Sequence, residues 1–447
     1  MPGFFSKQRI TASSDYNRWK VPGAALAVHL CIGQVYAFSV FNEPLTRVIG
    51  IDHSTPEDWK LTELGWIFSL AIVFLGLSAA IGGKWLEQVG PRLTTTLAAL
   101  CFGGGFWVAA LGIDSHQIEL LYLGYGVLGG MGLGLGYVSP VSTLIKWFPD
   151  RRGMATGLAI MGFGGGALLG APLSVALMEL LQSPQSVGVK ATFQVLGSVY
   201  FLLMMLGALT IRIPPDNWQP NNWTPPKTRH KMIARYHVHI DQALKTPQFY
   251  WLWLVLCLNV TAGIGVLGQA AVMIQEMFKD QLSAANAAAF VSLLSLFNMA
   301  GRFFWSTLSD YLGRKNTFTL FFLLGATLYA FIPSAGAAGN MVLFVGCYAL
   351  VLSMYGGGFA TIPAYLADIF GTRYVGGIHG RLLTAWSTAG VLGPVLVNYL
   401  RAWQLDQGVA RADAYTMTLY IMSGILLLGG CCNLMIRPVH SKHHQSD

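Results

Sequence analysis

Charge is scarce in this chain. Asp, Glu, Lys and Arg together make up 11% of its 447 residues, where a soluble domain carries about 25%. With 54% hydrophobic residues and a mean hydropathy of +0.52, the composition excludes an ordinary soluble enzyme or binding module and indicates a polytopic membrane protein. The net charge of +8 does not point to nucleic acid, because the bases sit in short loops between apolar runs. The lipid bilayer is the expected partner, and no nucleic acid is. Cysteine is sparse as well: Cys31, Cys101, Cys257, Cys347, Cys431 and Cys432 all fall within apolar runs and read as small core residues rather than disulfides or metal ligands. The N-terminal stretch MPGFFSKQRITASSDYNRWK lacks the apolar core and cleavage site of a removable signal. The apolar runs hold no His/Glu metal pattern and no paired carboxylates, so neither an intramembrane enzyme nor a metal or cofactor is expected.

Long apolar runs are what the chain has in plenty. Twelve spans are expected, at 21–42, 62–84, 94–112, 118–144, 154–180, 192–213, 247–275, 285–307, 316–334, 341–366, 377–400 and 414–436. Each is near the roughly 20 residues that cross the hydrocarbon as a helix, so the fold class is an all-α membrane protein with twelve transmembrane helices. One long polar interval, 214–245, begins proline- and asparagine-rich and turns basic, as a cytoplasmic linker with a short interfacial helix would. It separates two six-helix halves, 1–213 and 246–447.

Lysine and arginine placement sets the orientation. With the N-terminus inside, twenty of these residues lie on the cytoplasmic side and six (Arg47, Lys60, Lys190, Lys279, Arg401 and Arg411) outside. That bias predicts cytoplasmic termini. Arg302 and Arg381 sit in or beside spans. The 52 glycines cluster in GGMGLGLG (129–136), GFGGGALLG (162–170) and YGGGF (355–359), where small faces let helix backbones approach closely. GFGGGA lies inside an apolar span without a βαβ setting, so it is not a nucleotide loop.

The halves echo one another. GKWLEQVGPR (83–92) follows the second span and STLSDYLGRK (306–315) the eighth, with Glu87 and Asp310, and Gly90 and Gly313, each 223 positions apart. Gly83, Glu87, Gly90 and Arg92 in one copy, and Asp310, Gly313 and Arg314 in the other, describe a tight inter-helix turn. Its acid can hold the basic end of a neighbouring helix or its backbone N–H groups. Likewise KWFPDRRGMATG (146–157) corresponds to DIFGTRYVGGIHG (368–380). Two pseudo-symmetric six-span repeats indicate an alternating-access carrier.

Arg302 suggests the cargo. It lies near the middle of AAAFVSLLSLFNMAGRFFWSTLSD (287–310), and no acid follows on that helix until Asp310. An arginine at bilayer depth costs at least roughly 2.5–3.5 kcal/mol, so it should face a polar cavity. A cation there is a place for an anion to bind; the plainer alternative is that it snorkels to the cytoplasmic face and anchors the loop of Asp310.

The loop motif after spans two and eight resembles the signature of the major facilitator superfamily, although the first copy has Glu87 where aspartate is usual. Within it the chain resembles the oxalate/formate antiporter family, through GYVSPVSTLIKWFPDRRGMATGLAIMGFGGGA (136–167), LKTPQFYWLW (244–253), NMAGRFFWSTLSDYLGR (298–314), YGGGFATIPAYLADIFGT (355–372) and HGRLLTAWSTAGVLGP (379–394). The related monocarboxylate transporters of animals share the span-eight arginine but match less well elsewhere. The resemblance implies that Arg302 binds a carboxylate, for which a guanidinium fork is suited. It implies that Tyr36 and Tyr137 line a central cavity and that Tyr355 and Phe359 bracket the substrate. Ordinary helix packing is the bland reading of all four.

Departures from the family bear on the substrate. Trp386 stands where the oxalate carrier has a span-eleven lysine, which favours a monoanion such as formate, lactate or pyruvate over oxalate. Arg381 is five residues, about 7.5 Å of helix rise, from that position; it reads equally as a second cation or cytoplasmic gate and as an interfacial anchor. His379 beside it is expected at the loop end. Against the monocarboxylate transporters, Asn298 replaces an aspartate and Val40 a lysine, so two of three members of their proton machinery are missing. His29, at mid-span, can titrate near neutral pH and is a possible proton site, though a packing histidine is the plainer reading. The expectation is a secondary transporter of small carboxylates, working as a monomer in a bacterial inner membrane by anion exchange. Proton-coupled monocarboxylate symport and a transporter-like carboxylate sensor without turnover are the alternatives.

Overall fold

The computed structural model describes residues 4–445 apart from 217, 222, 225–231, 235, 268 and 279–283. Inside a bilayer, apolar runs of this length satisfy their backbone groups only as helices, and every expected span is helical. The helices are α1 (Val21–Ile32), α2 (Leu61–Val89), α3 (Pro91–Asp114), α4 (Gly130–Trp147), α5 (Arg152–Leu181), α6 (Val189–Thr210), α7 (Pro247–Leu267), α8 (Ala284–Leu312), α9 (Arg314–Ala337), α10 (Met341–Phe370), α11 in two pieces (Val375–Leu382 and Thr384–Asp406) and α12 (Thr416–Met435). Among the described residues ten helical segments are long and apolar enough to cross a membrane. The two outside that set are α8, which carries Arg302 and Asp310, and α11, which breaks at Leu383 and carries His379 and Arg381.

Two spans depart from a regular helix. The first expected span, 21–42, is α-helical only to Ile32 and continues as a 3₁₀ stretch, Gly33–Phe41. Gly33 lies so close to α5 that a Cβ there would stand 2.2 Å from the Phe163 carbonyl oxygen. Ahead of α4, the chain makes one α-turn (Ile118–Leu121) and then a π-helical stretch (Tyr122–Gly129). Such irregular turns inside spans recur at hinges and functional sites.

Two compact units are resolved by their internal packing. The first comprises Met1–Asp150, Gly162–Pro226 and Tyr374–Ser387. In it α3 lies along α6, and α2 runs against α4 and the first piece of α11. The second comprises Arg151–Met161, Lys227–Arg373 and Thr388–Asp447. Here α8 and α10 form the most extensive helix pair, with α12 against α9 and α7. A minimal two-stranded ladder, β1 (His237–Val238) antiparallel to β2 (His444–Gln445), ties the end of the linker to the C-terminal tail. Within the 214–245 interval the described helix is one turn, Ile240–Ala243; Lys227, Arg229, Lys231 and Arg235 lie outside the described residues, as does Lys279.

Candidate functional site

In the second unit the site is built on α8. Asn298 and Arg302 are one turn apart and therefore share a face. The Arg302 Nε donates to Asn298 Oδ1 at 3.1 Å, and Nη1 donates to the Ile160 carbonyl at 3.3 Å. Its guanidinium carbon stands 5.4 Å from the centre of the Phe359 ring, a cation–π distance. Arg302 is fully buried. These two acceptors are neutral oxygens, which orient the guanidinium without adding negative charge.

The glycine run on α10 makes this arrangement possible. A Cβ at Gly356 would lie 2.2 Å from the Asn298 carbonyl oxygen, one at Gly358 would lie 2.4 Å from Asn259 Oδ1, and one at Gly301 of α8 would lie 2.1 Å from the Ser353 carbonyl oxygen. At Gly356 and Gly301 a Cβ would strike backbone, so α10 is wedged against α8, while Gly358 brings it close to the Asn259 side chain of α7. Tyr355 and Phe359, one turn apart, meet edge to face at 5.3 Å and 88°. Tyr355 presses on α7 at Gly263, where a Cβ would stand 2.1 Å from its ring. The second unit thus brings Arg302, Tyr355 and Phe359 together.

The first unit gathers the other aromatic candidates around Tyr137. Its ring lies 5.3 Å from His29, 5.8 Å from Phe163, 5.8 Å from His379 and 5.4 Å from Trp386. Trp386 also meets Phe163 at 5.2 Å and Tyr36 at 6.2 Å, and Tyr36 meets Phe163 at 5.1 Å. Tyr137, Phe163, Trp386 and His29 are fully buried, and Tyr36 is half-buried. His29 Nδ1 bonds to the Ala25 carbonyl of its own helix at 2.9 Å. Arg381 is half-buried near the end of the first piece of α11. His379 does not lie at a loop end: α11 starts at Val375, and His379 is 1% exposed. Phe163 was not singled out from the sequence, although its partner 223 positions on is Trp386. The same offset puts Ala79 opposite Arg302, so only the second repeat carries a cation at that position.

The two loop motifs act alike. Glu87 accepts from the Gly376 N–H at 3.0 Å, at the start of α11, and pairs with Lys146 at 2.8 Å. Asp310 accepts from the Gly153 and Met154 N–H groups, both at 2.9 Å, at the start of α5, and pairs with Arg314. Each acid therefore sits on the positive end of a helix dipole. Asp368 extends the second set, reaching Arg152 at 2.9 Å and Arg314 at 3.3 Å. Gly90 and Gly313 supply the positive φ of the turns, +87° and +81°. Gly83 allows α11 to close on α2, since a Cβ would stand 2.7 Å from the Gly376 carbonyl oxygen. Arg92 departs from the pattern: it is buried and donates to the carbonyls of Phe4 and Leu209 at 3.2 and 3.1 Å.

Residues 24–394 match the family described as Major Facilitator Superfamily. The chain belongs to this superfamily. It is accordingly an integral membrane transporter and not an enzyme. It is similar to the oxalate:formate antiporter of Oxalobacter formigenes, 28% identical over 382 residues that span 84% of this chain and 83% of the relative. Similarity extends to the apicoplast pyruvate carrier 1 of Toxoplasma gondii, 25% identical over 536 residues and covering 97% of this chain and 92% of the relative. Among solved structures, the human organic anion transporter MFSD10 superposes with a TM-score of 0.67 at 14% identity, covering 94% of this chain and 100% of that one. That likeness establishes the twelve-helix, two-repeat fold.

Proposed function

We propose that this transporter exchanges small carboxylate anions (formate, lactate, pyruvate or oxalate) by alternating access. The observation that carries the reading is Arg302, a buried guanidinium oriented by two neutral oxygens under the Phe359 ring. A carboxylate that pairs with Arg302 adds negative charge beside a buried guanidinium and lowers the barrier to its reorientation. A carrier that moves readily only when loaded exchanges rather than leaks. Tyr355 and Phe359 wall the anion, while Tyr36, Tyr137 and Trp386 form an aromatic cluster within the first unit. Asn298, where an acid would compete for Arg302, supports exchange over proton symport. The printed activities of the two relatives, an oxalate:formate antiporter and a pyruvate carrier, support the substrate class.

The carrier is proposed to consist of halves 1–213 and 246–447 joined by the cytoplasmic linker 214–245. The excess of lysine and arginine on one side supports cytoplasmic termini, and a bacterial inner membrane and a monomeric state complete the reading. Uptake of labelled formate, lactate, pyruvate and oxalate into proteoliposomes tests it. Uptake that requires a carboxylate inside the vesicles is expected. Uptake of none of the four, with or without internal anion, overturns the reading.

A further inference from the structure

We infer that Arg9, Arg92 and Arg212 form a binding site for the phosphate of an anionic lipid headgroup, in the first unit, where the N-terminal segment meets the start of α3 and the end of α6. The site is separate from Arg302 and does not depend on which cargo is carried.

Three guanidinium groups converge there through shared partners. The guanidinium carbons of Arg9 and Arg92 stand 5.4 and 5.2 Å from the centre of the Phe4 ring, and Arg92 Nη1 donates to the Phe4 carbonyl at 3.2 Å. Arg92 Nη2 and Arg212 Nη1 both donate to the Leu209 carbonyl, at 3.1 and 3.2 Å. Among the described residues no carboxylate pairs with any of the three, and Arg9 and Arg212 lie close enough to repel Arg92. Arg92 is 3% exposed, and its Nε has no hydrogen-bond partner among the described residues. Buried polar groups are nearly always satisfied, and an exception calls for a role. Arg212 is half-buried and Arg9 exposed, so the cluster runs from a buried, incompletely satisfied guanidinium out to the surface. Like charges gathered in this way attract an anion, and guanidinium forks suit phosphate oxygens.

Capping the last carbonyls of α6 accounts for part of this cluster, and the second repeat shows how little that task requires. Lys315, 223 positions after Arg92, donates to the Leu434 and Ile436 carbonyls at the end of α12, both at 2.8 Å. One lysine closes that end, with one further base, Arg437, beside it. The first unit commits two arginines to a single carbonyl and adds a third.

Placement and apolar exposure identify the anion as a lipid. Helix α3 begins at Pro91 and α6 ends at Thr210, so the cluster lies level with one surface of the bilayer. Backbone bonds hold the N-terminal segment there: the Ile213 N–H donates to the Ile10 carbonyl at 3.0 Å, and the Ala12 N–H to the Ile213 carbonyl at 2.9 Å. On the same segment Phe4 and Phe5 meet edge to face at 5.1 Å and are 45% and 38% exposed. Aromatic side chains beside bases favour the headgroup region, and a pocket of bases at that depth takes an anionic headgroup. A soluble anion would engage the arginines and leave the phenylalanines in water.

The test uses the full chain, two readouts and substitutions at Arg9, whose exposure keeps the fold out of the comparison. Amide hydrogen exchange over residues 4–12 is followed in nanodiscs of phosphatidylcholine, alone or mixed with phosphatidylglycerol. Phosphatidylglycerol should slow exchange in the wild type, and inorganic phosphate added to the phosphatidylcholine discs should not. Equal exchange in the two lipids overturns the inference; slowing by inorganic phosphate that matches the lipid assigns the cluster to a soluble anion and overturns it too. Native mass spectrometry of the carrier titrated with phosphatidylglycerol gives the affinity. Arg9→Gln should weaken it about fivefold, the effect of one base near a membrane surface, and abolish the slowed exchange, whereas Arg9→Lys should keep most of both. Unchanged affinity in Arg9→Gln sinks the site. Neither readout involves carboxylate uptake, so the lipid site and the proposed exchange stand or fall separately.

Discussion

Asn298 holds Arg302 by one nitrogen: its side-chain oxygen accepts from the guanidinium Nε at 3.1 Å, one turn away on the same helix. The contact fixes the plane of the fork while adding no negative charge. Removing the guanidinium should therefore remove the proposed anion site and leave the scaffold. Arg302→Ala is expected to abolish uptake of every carboxylate the wild type carries, with normal membrane expression. Arg302→Lys, which keeps the charge but loses the fork, is expected to cut it at least about tenfold. Near-normal uptake by either variant would remove Arg302 from the substrate pathway.

Asn298→Asp places a carboxylate against the same Nε. Ionised, it pairs with Arg302 and competes with substrate; protonated, it behaves like the native amide. Transport by this variant is expected to be depressed at neutral pH and to recover as the pH is lowered, measured as exchange rate against pH in proteoliposomes. A profile matching the wild type at every pH would show that Asn298 does not govern the charge at Arg302.

Gly356→Ala tests the wedge. Its Cβ would meet the backbone of Asn298 at 2.2 Å, and neither helix can yield without parting from the other. A loss of about 1–3 kcal/mol is expected, read as a lower melting temperature of the solubilised protein. Gly346→Ala on the same helix, where nothing lies within 4 Å, should be nearly neutral.

Asp310→Ala strips two helix-end N–H groups and Arg314 of their acceptor. The cost should be about 1–3 kcal/mol, measured by thermal unfolding in lipid nanodiscs. Glu87→Ala should behave alike in the first unit, where Lys146 and Gly376 lose theirs.

Asp58, in the loop before α2, gives a pH signature outside the membrane. Burial pushes its carboxyl up, but hydrogen bonds from the N–H groups of Ile49, Thr55 and Gly50 and from the Thr55 hydroxyl outweigh it and hold the group below its ordinary range. A depressed carboxylate adds stability above its unfolded value and loses it as pH falls through the folded value. Asp58→Asn should therefore lower the melting temperature at neutral pH and narrow its gap to wild type in acid. A gap that does not change with pH would refute the assignment.

Helix number and the cation were legible in the sequence because both follow from residue type and run length. Arg302 stands out where lipid should be, and the glycines of YGGGF announce a close approach. What escaped depends on partners far away in the chain. The 3₁₀ stretch at Gly33–Phe41 reflects the nearness of Phe163, 130 positions on. Phe163 itself looks like any phenylalanine in an apolar run. His379 read as a loop-end residue because the eleventh span was expected to begin only at 377; the helix begins at Val375, where the Gly376 N–H donates to Glu87, and the histidine lies inside it. The interior of the linker was legible as polar and no further.

The exchange of short segments between the packing units has a consequence for biogenesis. Residues 374–387 belong to the first unit, although they are synthesised long after its other parts end at 226. The first unit therefore cannot finish packing while it emerges from the ribosome. It must wait, with the face of α2 that later receives α11 still unfilled, until most of the remaining chain has entered the membrane. A chain truncated before residue 374 lacks the segment that fills this face of α2.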